Sequence, residues 1–302
     1  MTKKTLITGG AGFIGSHLAK KLLELGHSVR ILDNFSTGKR ENIHSEVELI
    51  EGDIRDLDTV KKACEGIDFI SHHAAQISVP LSIENPEETM EINGLGTLNV
   101  LLAAQEAGAS KITFASSSAV YGDTENLPIT EDEPVKPLSP YAVSKLLGEY
   151  YCQTFEELYG LQVTVFRYFN VYGEGQDPDS PYAAAIPKFI RLKKAGKPLT
   201  IFGDGLQTRD FVHVSDVAQA NITAFETKTD PSPINIGSGE TVTVNKLAEM
   251  IGGEIDHQEE RQGDIKHSSA NIEKAKEAIQ FNPKKSLKEG VSKLIGETIQ
   301  TC

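Results

Sequence analysis

Apolar runs and amphipathic stretches alternate along the first half of the chain. Short runs rich in β-branched and apolar residues predict strands at 5–8, 29–33, 47–51, 69–71, 112–116 and 163–167. Between them, apolar positions at helical spacing predict helices at 13–25, 58–65, 87–107 and 140–159. Gly26, Gly108 and Gly160 stand where three of these helices should stop, because glycine takes up the left-handed conformation that closes a helix. Strands that alternate with helices, and are apolar on both faces, belong to a parallel sheet covered on both sides. The fold class expected is therefore α/β, a doubly wound parallel sheet.

After Asn170 the rhythm loosens. The stretch 172–187 is rich in Gly, Pro, Asp and Ala, as expected of loops that shape a pocket. A helix starting at Ile186 or Pro187 and running to Ala195 is expected next, then a short strand at 199–202. Residues 211–214 lead into a helix at 215–225, and 234–236 reads as another strand. A helix at 271–280, a break at Pro283 and an amphipathic helix with Leu287, Val291, Leu294 and Ile295 on one face complete the chain. The expected division is a first domain at 1–170 and a smaller α/β substrate domain at 171–302, with 206–236 packing back on the first.

Composition narrows the function. The chain has 302 residues and a formal charge of −13, which argues against a general nucleic-acid or membrane surface. A local anion site built from arginines and helix ends stays compatible with that charge. Three cysteines, far apart and with no C-x-x-C pair, suggest a reducing cytoplasm, no structural disulfide and no metal site. The N-terminus reads directly into a strand with no signal peptide, and no apolar run is long enough for a membrane span.

Two stretches carry chemistry. Directly after the first strand, glycines recur every three residues at Gly9, Gly12 and Gly15, at the mouth of a helix. Such a turn lets backbone N–H groups approach a pyrophosphate, although a tight strand-to-helix turn alone also calls for glycines. Asp33 at the end of the second strand can accept both ribose hydroxyls of an adenosine and would repel a 2′-phosphate, which favours NAD; Lys39-Arg40 is the opposing signal. Asp53, after the third strand, fits either an adenine contact or a solvated loop. The second stretch is Tyr141-Ala-Val-Ser-Lys145, just after a Ser139-Pro140 helix start. Positions i and i+4 share a helix face, about 5 Å apart. At an effective dielectric of about 20 an ammonium there contributes about 3 kcal/mol, or about two pKa units, to a phenol that titrates at about 10. With a second positive charge nearby, Tyr141 could serve as a base near neutral pH. The same spacing also fits an ordinary surface helix.

Taken together, these residues resemble the extended short-chain dehydrogenase/reductase family, with its Rossmann-type fold, and within it the UDP-glucose (or N-acetylglucosamine) 4-epimerases. The resemblance spans almost the whole chain. It is carried by TGGAGFIGS at 8–16, DNFSTG at 33–38, GDIRD at 52–56, HHAA at 72–75, SSSAVYG at 116–122 and SPYAVSK at 139–145. RYFNVYG at 167–173, GDGLQTRDFVHVSDVA at 203–218 and RQGD at 261–264 continue it. It implies that Gly9, Gly12, Phe13, Ile14 and Gly15 hold the pyrophosphate of NAD. Asn34, Ser36, Thr37 and Gly38 would join Asp33 at the ribose, and Ile54 would join Asp53 at the adenine. Ala74, Ala75 and Gln76 would line the dinucleotide, with Asn93 behind them and Phe169 near the nicotinamide. Tyr141 would be the acid/base, Lys145 its partner and Ser117 the third catalytic group, although Ser116 and Ser118 fit within one position. For a UDP-sugar substrate, Asn170, Arg209 and Arg261 would hold the diphosphate and Asp264 the uridine ribose. Thr200 and Phe202 would lie near the uracil, and Ser78 and Ser268 near the sugar.

The resemblance implies 4-epimerisation through a 4-keto sugar. Rivals on the same scaffold are 4,6-dehydratases, which carry an Asp-Glu pair after the catalytic Thr or Ser, and UDP-glucuronate decarboxylases, which place a Glu there. This chain has Ser118 and Ala119. A bulky tyrosine in glucose-restricted relatives is replaced by Ser268, which leaves room for an N-acetyl group. A homodimer through helices 87–107 and 140–159 is also implied; Tyr150, Tyr151 and Phe155 fit either an interface or the core.

Overall fold

The computed structural model describes residues 2–177, 184–260 and 265–296. The expected roles of Arg261 and Asp264 fall outside these residues. In chain order, the first half contains β1 (Lys4–Thr8), α1 (Phe13–Glu24), β2 (Ser28–Asp33), β3 (Glu48–Glu51), α2 (Leu57–Cys64), β4 (Phe69–His72), α3 (Val79–Glu84) and α4 (Pro86–Met90). It continues with α5 (Gly96–Ala107), β5 (Lys111–Ser117), α6 (Pro140–Tyr159), β6 (Gln162–Tyr168) and β7 (Asn170–Tyr172). The second half contains α7 (Ala185–Lys194), β8 (Leu199–Phe202), β9 (Thr208–Arg209), β10 (Phe211–His213), α8 (Val214–Glu226) and β11 (Ile234–Ile236). After these come β12 (Val242–Thr243), α9 (Val244–Ile251), β13 (Ile255–Gln258), α10 (Glu273–Ile279) and α11 (Leu287–Ile295).

Seven parallel strands form the main sheet in the order β11-β6-β5-β4-β1-β2-β3. This is the doubly wound, Rossmann-like α/β arrangement expected. Leu6 and Ile7 show why its strands read as unbroken apolar runs. Leu6 packs with Ile70, Ile112, Phe114, Val100 and Leu101 under α2, α5 and α6. Ile7 packs on the other face with Leu18, Leu22, Ile31, Ala218 and Ile222 under α1 and α8. The strand order reverses between β1 and β4, and the helices that follow these two strands leave to opposite faces. In folds of this kind such a reversal leaves a crevice at the carboxyl ends of the strands.

Gly26, Gly108 and Gly160 close their helices with positive φ, as expected. The helix expected over 87–107 is interrupted, however. Residues Glu91–Leu95 form a π-helical turn between α4 and α5, which brings Asn93 into the interior at 2% exposure. The structure adds α3, β7, β9 and β12 to the elements expected, and two further ones that are more instructive. The first, α9, buries Val244, Leu247, Ala248 and Ile251 against α7 and α11, a helical spacing already present in the sequence. The second, β13, is exposed throughout and is defined only by its parallel pairing with β8.

One buried ion pair joins the sheet to α6. Arg167 on β6 donates to Glu149 on α6 through Nη2, 2.7 Å from Oε2, and Nε, 3.0 Å from Oε1. Ser116 donates its hydroxyl to the same carboxylate, and all three side chains are buried. Removing one member leaves the other charged and unpaired. Arg167→Leu is therefore expected to lower stability by about 3–5 kcal/mol, read as a shift of the urea midpoint. A change below about 1 kcal/mol, the range of an exposed pair, would contradict this.

Candidate active site

At the mouth of α1 the three glycines serve different ends. Gly9 has φ +70°, and a Cβ there would lie 2.7 Å from Ala74 N. A Cβ on Gly15 would meet Gly9 O at 2.4 Å and Gly10 Cα at 2.7 Å. Both are fixed by the fold itself. Gly12 differs, since its only close neighbour would be Gly9 O at 3.2 Å. It is the N-cap of α1, with no side chain capping the helix. The first-turn N–H groups of Phe13, Ile14 and Gly15 thus end in a shallow cradle that a larger residue at position 12 would narrow. Such a helix end suits an anion.

Asp33 sits beside this cradle. Its carboxylate accepts from Ala11 N at 2.9 Å and Phe35 N at 2.8 Å, and Gly38 lies against it so closely that a Cβ would stand 2.8 Å from Oδ1. Asn34, Ser36 and Thr37 form the exposed rim, where Ser36 N donates to Asn34 Oδ1 at 3.0 Å. The opposing cations are engaged by carboxylates. Lys39 pairs with Asp177 at 3.4 Å, and Arg40 pairs with Glu51 and lies over the Phe35 ring. Asp53 accepts from Asn34 and binds Arg55 through both oxygens, and these hydrogen bonds, Arg55 foremost, hold its carboxyl down at about 2. Its neighbour Ile54 is buried under Gly96.

On the other side of the crevice, Ala74, Ala75 and Gln76 follow β4 and are half-buried. Asn93 holds them by a reciprocal pair: Gln76 N donates to its Oδ1 at 2.7 Å, and its Nδ2 donates to Gln76 O at 2.9 Å. The same Nδ2 also donates to Ser144 Oγ, tying the loop to α6. Asn93 therefore acts by holding the loop in place. His72 bridges Thr8 and Thr97 at 2.7 and 3.0 Å, and burial keeps its pKa at about 3, so it stays neutral. Ser78 caps α3.

Tyr141, Ser117 and Lys145 converge at the end of β5. Ser139 and Pro140 start α6 as expected, with Ser139 Oγ accepting from Ala142 N. Ser117 lies near enough to the Tyr141 phenol to lower its pKa, and its Oγ accepts from Ala119 N at 3.2 Å. Ser116 points the other way, to Glu149, so of the three serines Ser117 is the one facing the phenol. Lys145 is 5% exposed; its Nζ donates to Ala115 O at 2.8 Å and lies 6.0 Å from the Tyr141 ring centroid. Burial lowers its pKa to about 8. The expected acidification of Tyr141 by Lys145 is corrected here. Burial pushes the phenol above its ordinary value and the nearby Ser117 opposes this only in part, while the ammonium is turned to a carbonyl.

The remaining residues lie on the second-half elements. Phe169 is buried against Tyr121. Asn170 donates its N–H and its side-chain amide to Asp210 O, at 3.1 and 2.9 Å. Arg209 is half-buried and donates to Thr208 O at 2.8 Å and Lys266 O at 3.4 Å. On β8, Leu199 and Ile201 point into the core while Thr200 and Phe202 face away, and Lys188 lies over the Phe202 ring. Ser268 is 7% exposed, and its N–H donates to Thr208 O at 3.2 Å. Among the described residues no helix is long and apolar enough to cross a membrane.

With this geometry in hand, comparison with known proteins is informative. The chain matches the profile of the NAD dependent epimerase/dehydratase family over residues 5–237. It is 44% identical over 299 residues to a putative UDP-glucose 4-epimerase of Methanocaldococcus jannaschii, covering 96% of each chain. The solved UDP-N-acetylglucosamine 4-epimerase of Methanobrevibacter ruminantium, in complex with UDP-N-acetylmuramic acid, superposes with a TM-score of 0.92 at 39% identity, covering 98% of this chain and 99% of that one. A UDP-N-acetyl-alpha-D-glucosaminuronate decarboxylase of Bacillus cytotoxicus is 38% identical over 322 residues, covering 99% of this chain and 98% of its own. NAD is the cofactor of the family, and the cradle at Gly12 with Asp33 beside it fits that group.

The division of labour among the glycines is testable. Gly12→Ala is expected to keep the wild-type melting temperature but to lose bound NAD by about tenfold or more, whereas Gly15→Ala should lose both stability and cofactor. Thermal melting and chromatographic assay of NAD released from the purified variants measure this. Full NAD content in Gly12→Ala would contradict it.

Proposed function

Since the chain belongs to the NAD-dependent epimerase/dehydratase family, we propose that it is an isomerase that inverts C4 of UDP-hexoses through a transient 4-keto sugar. One observation carries this reading. The residues that follow Ser117, namely Ser118 and Ala119, bear no carboxylate, and Ser117 itself lies near the Tyr141 phenol. Elimination of water across C5 and C6 needs an acid and a base in that segment, and none is there.

NAD, when bound, supplies the two-electron oxidation at C4, its reversal, and the positive charge of the oxidised ring. Tyr141, as phenolate, takes the proton of the 4-hydroxyl and returns it after the sugar has turned its other face. Positive charge near the phenol is required because burial raises its pKa. Ser117 hydrogen-bonds the reacting oxygen and stabilises charge that develops there. Lys145, anchored on Ala115 O, holds its charge behind the tyrosine. Asn170 and Arg209, with Arg261 from outside the described residues, hold the diphosphate. Guanidinium is permanently charged and forks onto phosphate oxygens.

Ser268 supports a broader substrate range, covering UDP-glucose with UDP-galactose and their N-acetylated counterparts. The family resemblance implies that its small side chain takes the place of a tyrosine beside the sugar's 2-substituent. The second reading, decarboxylation of a UDP-uronate, draws support from the Bacillus cytotoxicus relative and is opposed by Ala119. A homodimer is proposed through α5 and α6, whose outer faces expose Leu102, Val143, Tyr150 and Leu158, with Leu95 just before α5, while Phe155 is buried and Tyr151 packs on the core.

Purified protein mixed separately with UDP-glucose, UDP-N-acetylglucosamine and UDP-glucuronate, without added cofactor, is expected to convert the first two to their galacto epimers, identified by NMR. Carbon dioxide and a pentose product from UDP-glucuronate, with the hexoses unchanged, would contradict the epimerase reading. Ser268→Tyr is expected to suppress the N-acetylated pair by about tenfold or more while sparing UDP-glucose, a size of discrimination that pocket volume can supply. Equal losses on both pairs would overturn the assignment of Ser268.

A further inference from the structure

We propose that Asp210 is a positioning residue for the substrate side of the site, fixing the spacing of the segments that carry Asn170, Arg209 and Ser268. This rests on the UDP-sugar reading above and adds to it a residue that makes no contact with the ligand itself.

Asp210 is fully buried and joins four separate segments. Arg209 precedes it in the chain. Its backbone oxygen accepts both the N–H and the side-chain amide of Asn170, at 3.1 and 2.9 Å. Its Oδ1 accepts from Ser238 N at 2.6 Å and Ser238 Oγ at 2.8 Å. Its Oδ2 accepts from Gly239 N at 3.1 Å and from Ala270 N at 3.1 Å, two residues beyond Ser268. Gly237 makes the junction possible, since a Cβ there would stand 2.5 Å from Ala270 Cβ and 2.9 Å from Asp210 Oδ2.

Every donor at the carboxylate except the Ser238 hydroxyl is a backbone N–H, which has no way to turn aside. A carboxylate accepts at both oxygens, whereas an asparagine amide must set an NH₂ against one of these donor pairs. In Asp210→Asn, therefore, either the 238 segment or the 239 and 270 segments lose their acceptor and face a donor instead. The diphosphate contacts would move apart while the cofactor cradle, built on β1 and α1, is untouched.

Calorimetry with UDP as the probe separates this inference from the reading on which it rests. The wild type is expected to bind UDP, and Asp210→Asn to bind it about tenfold or more weakly. The KM for the UDP-sugar should rise in parallel, with kcat within about threefold and NAD content unchanged, the mark of lost ground-state positioning. A wild type that does not bind UDP would overturn the UDP-sugar reading itself. Wild-type binding matched by Asp210→Asn, or a fall in kcat with UDP affinity intact, would overturn the role of Asp210 alone. If Asp210→Asn does not fold, Ser238→Ala decides. That variant deletes one donor and keeps the carboxylate, so UDP affinity about threefold below wild type supports the role, and unchanged affinity contradicts it.

Discussion

The reversal of strand order between β1 and β4 governs where everything else in this molecule can act. Strands added to the left of β1 run through β2 to β3, and those to the right of β4 run through β5 and β6 to β11. Because the helices after β1 and β4 must leave to opposite faces, the carboxyl ends of these two strands are left uncovered. The glycine loop leaves the end of β1, Asp33 ends β2, Ala74 to Gln76 follow β4, and Ser117 ends β5. Residues separated by more than a hundred positions in the chain thus meet along one rim.

Electrostatics at that rim are arranged by local pairing within an acidic protein. Arg40 and Lys39, the opposing signal for a 2′-phosphate, are each matched with a carboxylate. Lys145 is the exception, a buried ammonium held on a carbonyl and shifted to about 8 by burial. Beside it, Tyr141 is raised rather than lowered. In the proposed reaction such a tyrosine needs a further positive charge to act as a base, a charge that oxidised cofactor would supply. Beneath the pair, Glu149 and Arg167 lock α6 to β5 and β6, so that the phenol and Ser117 stay in register.

Much of this was legible in the sequence, for identifiable reasons. The central strands of the main sheet are apolar on both faces, and Gly26, Gly108 and Gly160 close the helices that separate them. The chemistry proposed for Tyr141 and Ser117 rests on spacing together with family resemblance, and Ser116 is engaged by Glu149. What escaped was long-range or unpatterned. The π-helical turn around Asn93 depends on a loop seventeen residues earlier and on Ser144. The strand β13 has no apolar alternation and exists through its pairing with β8. Asp210 carries no local signal of its own and gains its importance from donors at 238, 239 and 270. The helix α9 is the opposite case, since Val244, Leu247, Ala248 and Ile251 carried a readable pattern.

The central claim is that the tyrosine at the rim moves protons while C4 is oxidised and reduced in place, with no atom of the sugar lost. A UDP-hexose carrying deuterium at C4, turned over by the holoenzyme in ordinary water and followed by NMR and mass spectrometry, tests it most directly. The account predicts a C4 epimer of unchanged mass that retains the deuterium at C4. Loss of the label to solvent, or a product lighter by water or carbon dioxide, would contradict it.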